Sequence, residues 1–417
     1  MSKRKKLIER AKNLVIVALL ISAALLLNAS GYVSLTGRRS SQETASGGQA
    51  GAAESVTAAL PVSPAGMVIS PAGGSRCAFY YSSEQLTDAF ESFAASLAEA
   101  LGSAGQVREL TRWQWQQRLL GVGVYFDFYC AQPLTLLSGL LGSTAGEAGG
   151  YGAEAVLLSC TDDGVELCFA GDDGLYYVCS TGVSASAVLS RAESYGADGS
   201  YFAFTSGKFP GLDPDTVIFG TRAQPRAALS ENAAGSVEIE SLMSSLGMNS
   251  YVIRPYTEAD GTRVYVESGK TLRVGADGKI SFKGGAAPGG ETELDESVLL
   301  AASIAQQTLL PVCGDAKLCF AGVSETDGGA YSVRFEYAIN GIVTELPDSR
   351  SAALVTVSAG EVAKLELQPR RYTLTQETRP LLPMAQAAAI ASSRGAGHIW
   401  LAYLDSGNSA SCEWVTD

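Results

Sequence analysis

The chain has 417 residues, 46% of them hydrophobic and 18% charged, which is the balance of folded globular protein rather than of a disordered chain. Thirty Lys and Arg stand against 43 Asp and Glu, a formal net charge of −13. The first 36 residues hold six of the cations and one anion, Glu9, which leaves 24 cations and 42 anions on the remainder, a net of −18. A surface that acidic argues against nucleic acid as a partner and against flat adhesion to an anionic lipid face.

The N-terminus carries the strongest single pattern. Leu14 to Leu27 is an unbroken apolar run, preceded by Lys3, Arg4, Lys5, Lys6, Arg10 and Lys12. Neutral residues continue to Leu35, before Arg38 and Arg39, so about 20 residues pass without a charge, roughly a hydrocarbon core in thickness. The basic cluster places the N-terminus in the cytoplasm and the bulk outside the cell membrane. The rival reading is a cleaved signal peptide, with Ala29 to Gly31 as a small-residue cleavage site. An uncleaved single-pass anchor is the expectation, because the neutral tract does not stop sharply. In lipid a helix pairs through small residues and polar handles, which makes Ser22, Ala23 and Asn28 the contact candidates on this span.

Residues 37–72 are rich in Ser, Gly, Ala, Thr and Pro and read as a linker. Order is expected from a strand near Arg76–Tyr81. A helix follows from Ser83 to Leu101, with Leu86, Phe90, Phe93, Leu97 and Leu101 on one face and Gly102 as the stop. A shorter helix covers 111–120 and contains Trp113 and Trp115. An aromatic strand, 123–131, carries Asp127 among apolar neighbours, and Pro133 opens the next helix. Asp127 reads as a cap or strand-edge residue before it reads as a functional acid. Residues 154–181 form a three-strand meander, punctuated by Asp163-Gly164 and Asp173-Gly174. If the turns centre on the Asp pairs, Cys168 faces Tyr176 or Tyr177. The acidic turns have too few oxygen ligands at the right intervals for an EF-type calcium loop. A helix over 184–195 and a strand over 200–205 lead into the turn-rich stretch 210–225.

The second half shows a weak repeat. A helix over 237–246 precedes strands near 251–256, 263–267, 271–274 and 280–282. A helix over 295–310 then precedes strands at 317–321, 331–339, 342–346, 355–357 and 362–367. A short helix, 384–392, and a final hairpin, 398–404 with 411–415, end the chain. The predicted class is α+β, in four parts: 1–36 basic tail and transmembrane helix, 37–72 linker, 73–225 a first lobe, and 226–417 a second lobe of two helix-plus-antiparallel-sheet units.

Catalytic constellations are not assembled. His398 is the one histidine, which rules out multi-His zinc sites and makes any Ser-His-Asp triad depend on it. It reads as a structural or surface residue. There is no GxSxG elbow and no GxxxxGK[ST]. The eight cysteines, with no CxxC spacing, sit largely in apolar strand-like runs and read as small buried hydrophobes rather than a disulfide framework.

Three stretches carry a resemblance: GVYFDFYCAQPLTLLSGLLG at 123–142; Leu212-Asp-Pro-Asp-Thr-Val-Ile218; and Asp260-Gly-Thr-Arg-Val-Tyr-Val-Glu267 with Leu272-Arg-Val274 and Asp277-Gly278. Together with the single span and outward α+β body, they resemble the YycH-type extracytoplasmic regulators, with their YycI-like domain and PepSY-like strand-rich modules. The resemblance implies a membrane-anchored regulatory protein, not an enzyme, with no cofactor. Its implied partners are the WalK (YycG) sensor histidine kinase of a two-component system and a homologous single-span regulator. A different class stays open beside it: a cell-wall or glycan-acting enzyme, or a carbohydrate-binding module on a membrane stalk. Trp113, Trp115, Trp400, Trp414 and the abundant carboxylates motivate that alternative. It requires paired carboxylates lining a cleft with exposed aromatic faces.

Overall fold

A computed structural model describes residues 64–417 apart from 82, 221–223, 286–292 and 327. The expected span, its contact candidates Ser22, Ala23 and Asn28, and most of the linker lie outside the described residues. Among those described, no helix is long and apolar enough to cross a membrane. All of them fall in one unit, Thr57–Asp417. They form an α+β structure with seven α-helices and mostly antiparallel sheets.

The first sheet contains β1 (Gly66–Ser70), β2 (Cys77–Tyr80), β3 (Arg108–Leu110), β4 (Gly123–Pro133), β5 (Gly152–Thr161), β6 (Gly164–Gly171) and β7 (Tyr176–Ser180). Their order is β2-β1-β4-β5-β6-β7-β3. Order therefore starts earlier than Arg76. Met67-Val68-Ile69 lies buried between β2 and β4, where a linker was expected. A fully buried three-residue apolar run has no alternation to reveal it.

Both faces of this sheet are covered. On one, α1 (Ser83–Gly102), α3 (Leu134–Leu140) and α4 (Ala185–Ala192) pack over Met67, Ile69, Val124, Phe126, Val156 and Leu167. The face of α1 set by Leu86, Phe90, Phe93, Leu97 and Leu101 is buried; each side chain removed from water contributes about 1.5–3 kcal/mol. On the other face, α2 (Arg112–Leu120) lies over Val68, Tyr125, Leu157, Cys168 and Val178. Thr111 begins α2 with a reciprocal cap to Gln114. Cys168 pairs with Val178, not with Tyr176 or Tyr177. The reason is that the loop from Gly171 to Leu175, closed by Gly171 N–H to the Leu175 carbonyl, centres on Asp173 rather than between Asp172 and Asp173, which moves each partner one residue on.

A short hairpin, β8 (Tyr201–Phe202) with β9 (Val217–Ile218), leads into the second sheet. That sheet contains β10 (Arg226–Asn232), β11 (Tyr256–Thr257), β12 (Arg263–Glu267), β13 (Lys270–Val274), β14 (Ile280–Lys283), β15 (Ala316–Thr326), β16 (Ala330–Ile339) and β17 (Ile342–Glu345). It continues through β18 (Ala353–Ser358), β19 (Glu361–Leu367), β20 (Arg370–Thr378), β21 (Ile399–Asp405) and β22 (Ser409–Thr416). Helices α5 (Ile239–Ser245), α6 (Leu294–Leu309) and α7 (Met384–Arg394) flank it. The two helix-plus-strand runs of this half share one sheet, because β14 pairs with β19. Helix α6 buries Val298, Ala301, Ala302, Ile304, Ala305 and Leu309 against it, its small residues allowing close approach.

Strands β10 and β20 were not legible in the sequence, yet they close the far end. The path runs β16-β17-β21-β22-β10-β20, and β20 then meets the residues just before β15. Tyr372 N–H donates to the Cys313 carbonyl at 3.0 Å and Asp315 N–H to the Tyr372 carbonyl at 2.9 Å. Gly314 makes the bridge at φ +69°, where a Cβ would overlap the Tyr372 carbonyl oxygen. Inside this curl sits a buried polar network. Asp405 Oδ2 accepts from Ser230 Oγ at 2.7 Å, Tyr372 Oη at 2.8 Å and Arg370 Nε at 3.1 Å. Its Oδ1 accepts from Gly407 N–H at 2.6 Å and Arg370 Nη2 at 3.2 Å. The Asp405 side chain is fully buried and that of Arg370 is 16% exposed.

Candidate functional site

The densest group of perturbed titratable side chains lies where the first sheet, the 203–219 connection and the last hairpin meet. An aromatic seam holds the three together. Tyr80 stacks on Phe219 with ring centroids 5.3 Å apart, and Tyr81 meets Phe219 at 5.9 Å and Trp414 at 6.4 Å. Tyr81 has φ +56°, a left-handed backbone rare for an aromatic residue. Its hydroxyl accepts the Leu401 N–H at 3.0 Å, so β21 is tied directly to the end of β2. Trp414 donates its indole N–H to the Leu382 carbonyl at 2.9 Å. Below the seam, Phe209, Leu212, Ile218, Met384, Ala388 and Ala391 join the connection to α7.

The acids sit around this seam. Asp127 leaves β4 just before its register with β5 shifts, on the same side as Tyr125, and accepts the Tyr80 hydroxyl at 2.9 Å. Enclosure pushes its carboxyl up to about 7; Asp215 adds to this, while Tyr80 and His398 oppose it. Asp215 is pushed up to about 6 by burial and by Asp213 and Glu154, against the pull of His398. His398 Nε2 lies 2.9 Å from Asp213 Oδ2. That hydrogen bond raises the imidazole to about 9 despite burial, with Asp215 and Asp417 helping. The same bond holds Asp213 below the usual carboxylate range, with Arg112 contributing. His398 is 53% exposed, so screening limits this pair to about 1 kcal/mol or less. Backbone bonds reinforce it. Asp213 N–H donates to the Gly397 carbonyl at 2.9 Å, and Asp417 Oδ1 accepts from Gly397 N–H at 3.0 Å and His398 N–H at 3.1 Å.

The three raised groups, Asp127, Asp215 and His398, act in the same direction. Asp127 and Asp215 bind protons more tightly folded than unfolded. They therefore take stability away as pH rises from about 4, the ordinary carboxylate value, through about 6 and 7. His398, raised, gives stability that is full below its ordinary value and lost as pH climbs through about 9. Thermal melts should accordingly show a midpoint that falls from pH 5 to pH 8. Asp127→Asn, which keeps a partner for the Tyr80 hydroxyl without a charge, should flatten that fall. A variant whose fall matched the parent's would contradict the assignment.

Asp127 thus does not cap α3; Pro133 holds the cap position. The 212–218 stretch carries part of the resemblance in sequence, yet nothing in it assigns Asp213 and Asp215 a role. No local pattern marks two acids in a turn as the partners of a histidine nearly two hundred residues on. Of the tryptophans, Trp115 is fully buried and stacked on Tyr176 at 5.2 Å, Trp113 is 65% exposed, and Trp414 belongs to the seam. Two cavities of about 350 Å³ lie elsewhere, one lined by Asn232, Arg263, Val274 and Gly275, the other by Ser244 to Tyr251. Neither has a carboxylate in its lining. Among the described residues no cluster of three His, Cys, Asp or Glu is placed to hold a metal ion. All eight cysteines are free thiols, and Cys168, Cys179, Cys313 and Cys412 are buried. Burial raises Cys130, Cys179, Cys319 and Cys412 to about 12, the condition of inert packing residues.

No protein-family model matches this sequence, and no curated protein matches it by sequence. A solved structure does match the fold: YycH from Bacillus subtilis, with a TM-score of 0.56 over 87% of this chain and 95% of that one, at 10% identity. The chain has a YycH-type fold.

Proposed function

We propose that this protein is a membrane-anchored extracytoplasmic regulator that modulates a sensor histidine kinase through protein–protein contacts. The observation that carries the reading is the YycH-type fold over nearly the whole of both chains. In this reading the Leu14–Leu27 run spans the cell membrane with its N-terminus cytoplasmic, and Ser22, Ala23 and Asn28 face a neighbouring helix. A homologous single-span regulator is a further partner. Residues 73–225, together with β1, and residues 226–417 act as two lobes, the second built of YycI- and PepSY-like units. The junction of Tyr81, Phe219, Trp414 and the Asp213–His398 pair sets the angle between them and passes a change in one to the other. No observation favours the glycan-acting alternative, since the acids that do lie together, Asp127 and Asp215, line neither cavity.

The test is co-purification from membranes of cells expressing the full chain with the sensor kinase of its own source. The kinase is expected to follow the intact protein and to be lost when residues 13–35 are replaced by poly-leucine. Association that survived the replacement would remove the helix contacts from the account. Recovery of a freely secreted protein trimmed near Gly31 would remove the anchor.

A further inference from the structure

The part of the second sheet formed by β12, β13, β14, β19 and β18 is covered on one face by α5 and α6, while Val266, Lys283, Lys364, Glu366 and Leu354 are exposed on the other. The registers define a row across the open face: Val266 opposite Thr271, Thr271 opposite Lys283, Lys283 opposite Lys364, and Lys364 opposite Thr356. The alternate positions Leu272, Phe282, Leu365 and Val355 point into the core. Solvent-facing sheet residues are ordinarily polar, with opposite charges paired across strands. Here two lysines stand directly opposite each other, and like charges in that arrangement are destabilising. Of the other cations of the face, Arg273 pairs with Glu258 and Lys279 with Glu366, and Arg334 donates to the Ala321 carbonyl. Among the described residues Lys283 and Lys364 have no ion pair, on a body whose formal charge is strongly negative. Large apolar side chains share the face: Leu354, on the strand next to Lys364, is 37% exposed, Val266, in the same row, 50%, and Tyr256, at the β11 edge, 53%.

The geometry points to this face as a docking surface for an acidic, partly apolar segment of a partner protein, whose carboxylates sit between Lys283 and Lys364. It rests on the regulatory reading and names the chemistry of one partner contact. Carboxylates placed there relieve the lysine repulsion, and Val266, Tyr256 and Leu354 offer the apolar flank that makes such a contact more than a screened surface pair. A lipid surface is the less suited occupant, because the rest of the body would bring its negative charge against anionic headgroups.

Binding of a short fluorescein-labelled peptide of glutamate, leucine and glycine to the full chain, read by anisotropy, tests this. Its lysine counterpart and phosphatidylglycerol vesicles serve as comparison ligands. The acidic peptide is expected to bind saturably and to weaken about tenfold in Lys364→Glu, as for loss of a desolvated charge contact. That substitution creates a Lys–Glu cross-strand pair, so its melting point should hold or rise while binding falls, which separates recognition from unfolding. Lys317→Glu, an exposed lysine on β15, should leave binding unchanged. Equal binding by Lys364→Glu, preference for the lysine peptide, binding to vesicles in place of the peptide, or self-association sensitive to Lys364→Glu would each overturn the assignment. Because the peptide assay contains no kinase, its failure and the failure of kinase co-purification are separate results.

Discussion

Asp405→Ala is expected to cost about 3–5 kcal/mol of unfolding free energy, the range for removing one partner of a buried ion pair. The carboxylate accepts five hydrogen bonds, from Ser230, Arg370 twice, Tyr372 and the Gly407 backbone. Burial alone would push its pKa up. The Ser230 hydroxyl, Gly407 N–H, Tyr372 hydroxyl and Arg370 outweigh burial and hold it below the usual range. Its stabilising contribution is therefore present above the ordinary carboxylate pKa and is lost as pH falls through the depressed value. Truncation leaves the Arg370 guanidinium, 16% exposed, with no counter-charge, and leaves the Tyr372 hydroxyl unpaired in the core. The strands affected are β10, β20 and β21, which close the curl of the second sheet, so the loss falls on the fold as a whole. Urea titration followed by tryptophan fluorescence measures it. A double replacement, Asp405→Leu with Arg370→Met, should be less harmful than Asp405→Ala, because it removes the unpaired charge instead of creating one. A single-variant loss below about 1 kcal/mol would show that the network carries little of the closure.

The strands of that closure also mark where sequence reading stopped. Helices α1 and α6 were legible to within a residue at each end, because their apolar residues recur at helical spacing over four turns or more. The hairpin of β21 and β22 was legible from two apolar runs around a Ser-Gly-Asn turn. Strands β10 and β20 were not: RAALSEN and RRYTLTQET are polar and charged, with half their residues turned to solvent. Their pairing is long-range, and their inward residues, Ser230, Arg370 and Tyr372, satisfy one another instead of showing an apolar stripe. The junction was illegible for a related reason. Asp127, Asp213, Asp215 and His398 acquire their chemistry only from burial and from each other, and they come from three separate parts of the chain. Tyr81 adds a backbone conformation that nothing in Tyr80-Tyr81 announces.

The two tryptophans of α2 give the second large expected effect, and a contrast that bears on function. Trp115→Ala should destabilise the protein by about 3–5 kcal/mol, whereas Trp113→Ala should stay within about 0.5 kcal/mol. They are two residues apart, so they lie on different sides of a helix turning 100° per residue. Trp115 is fully buried in the core, stacked on Tyr176 at 14° between planes and packed with Leu119, Leu157 and Val178. Its removal opens a cavity between α2 and the first sheet. Trp113 is 65% exposed and loses little on truncation. Among the described residues the indole N–H of Trp115 has no hydrogen-bond partner. Trp115→Phe, which removes that unpaired donor while keeping most of the ring, should therefore recover much of the loss. Chemical denaturation of the three variants measures the ranking. A sugar-binding pair of tryptophans would behave otherwise: both rings would be open, and both truncations would leave stability nearly intact while abolishing binding. If Trp115→Ala proved as mild as Trp113→Ala, the packing assigned to α2 would be wrong and a paired aromatic platform would return as the better account of this helix.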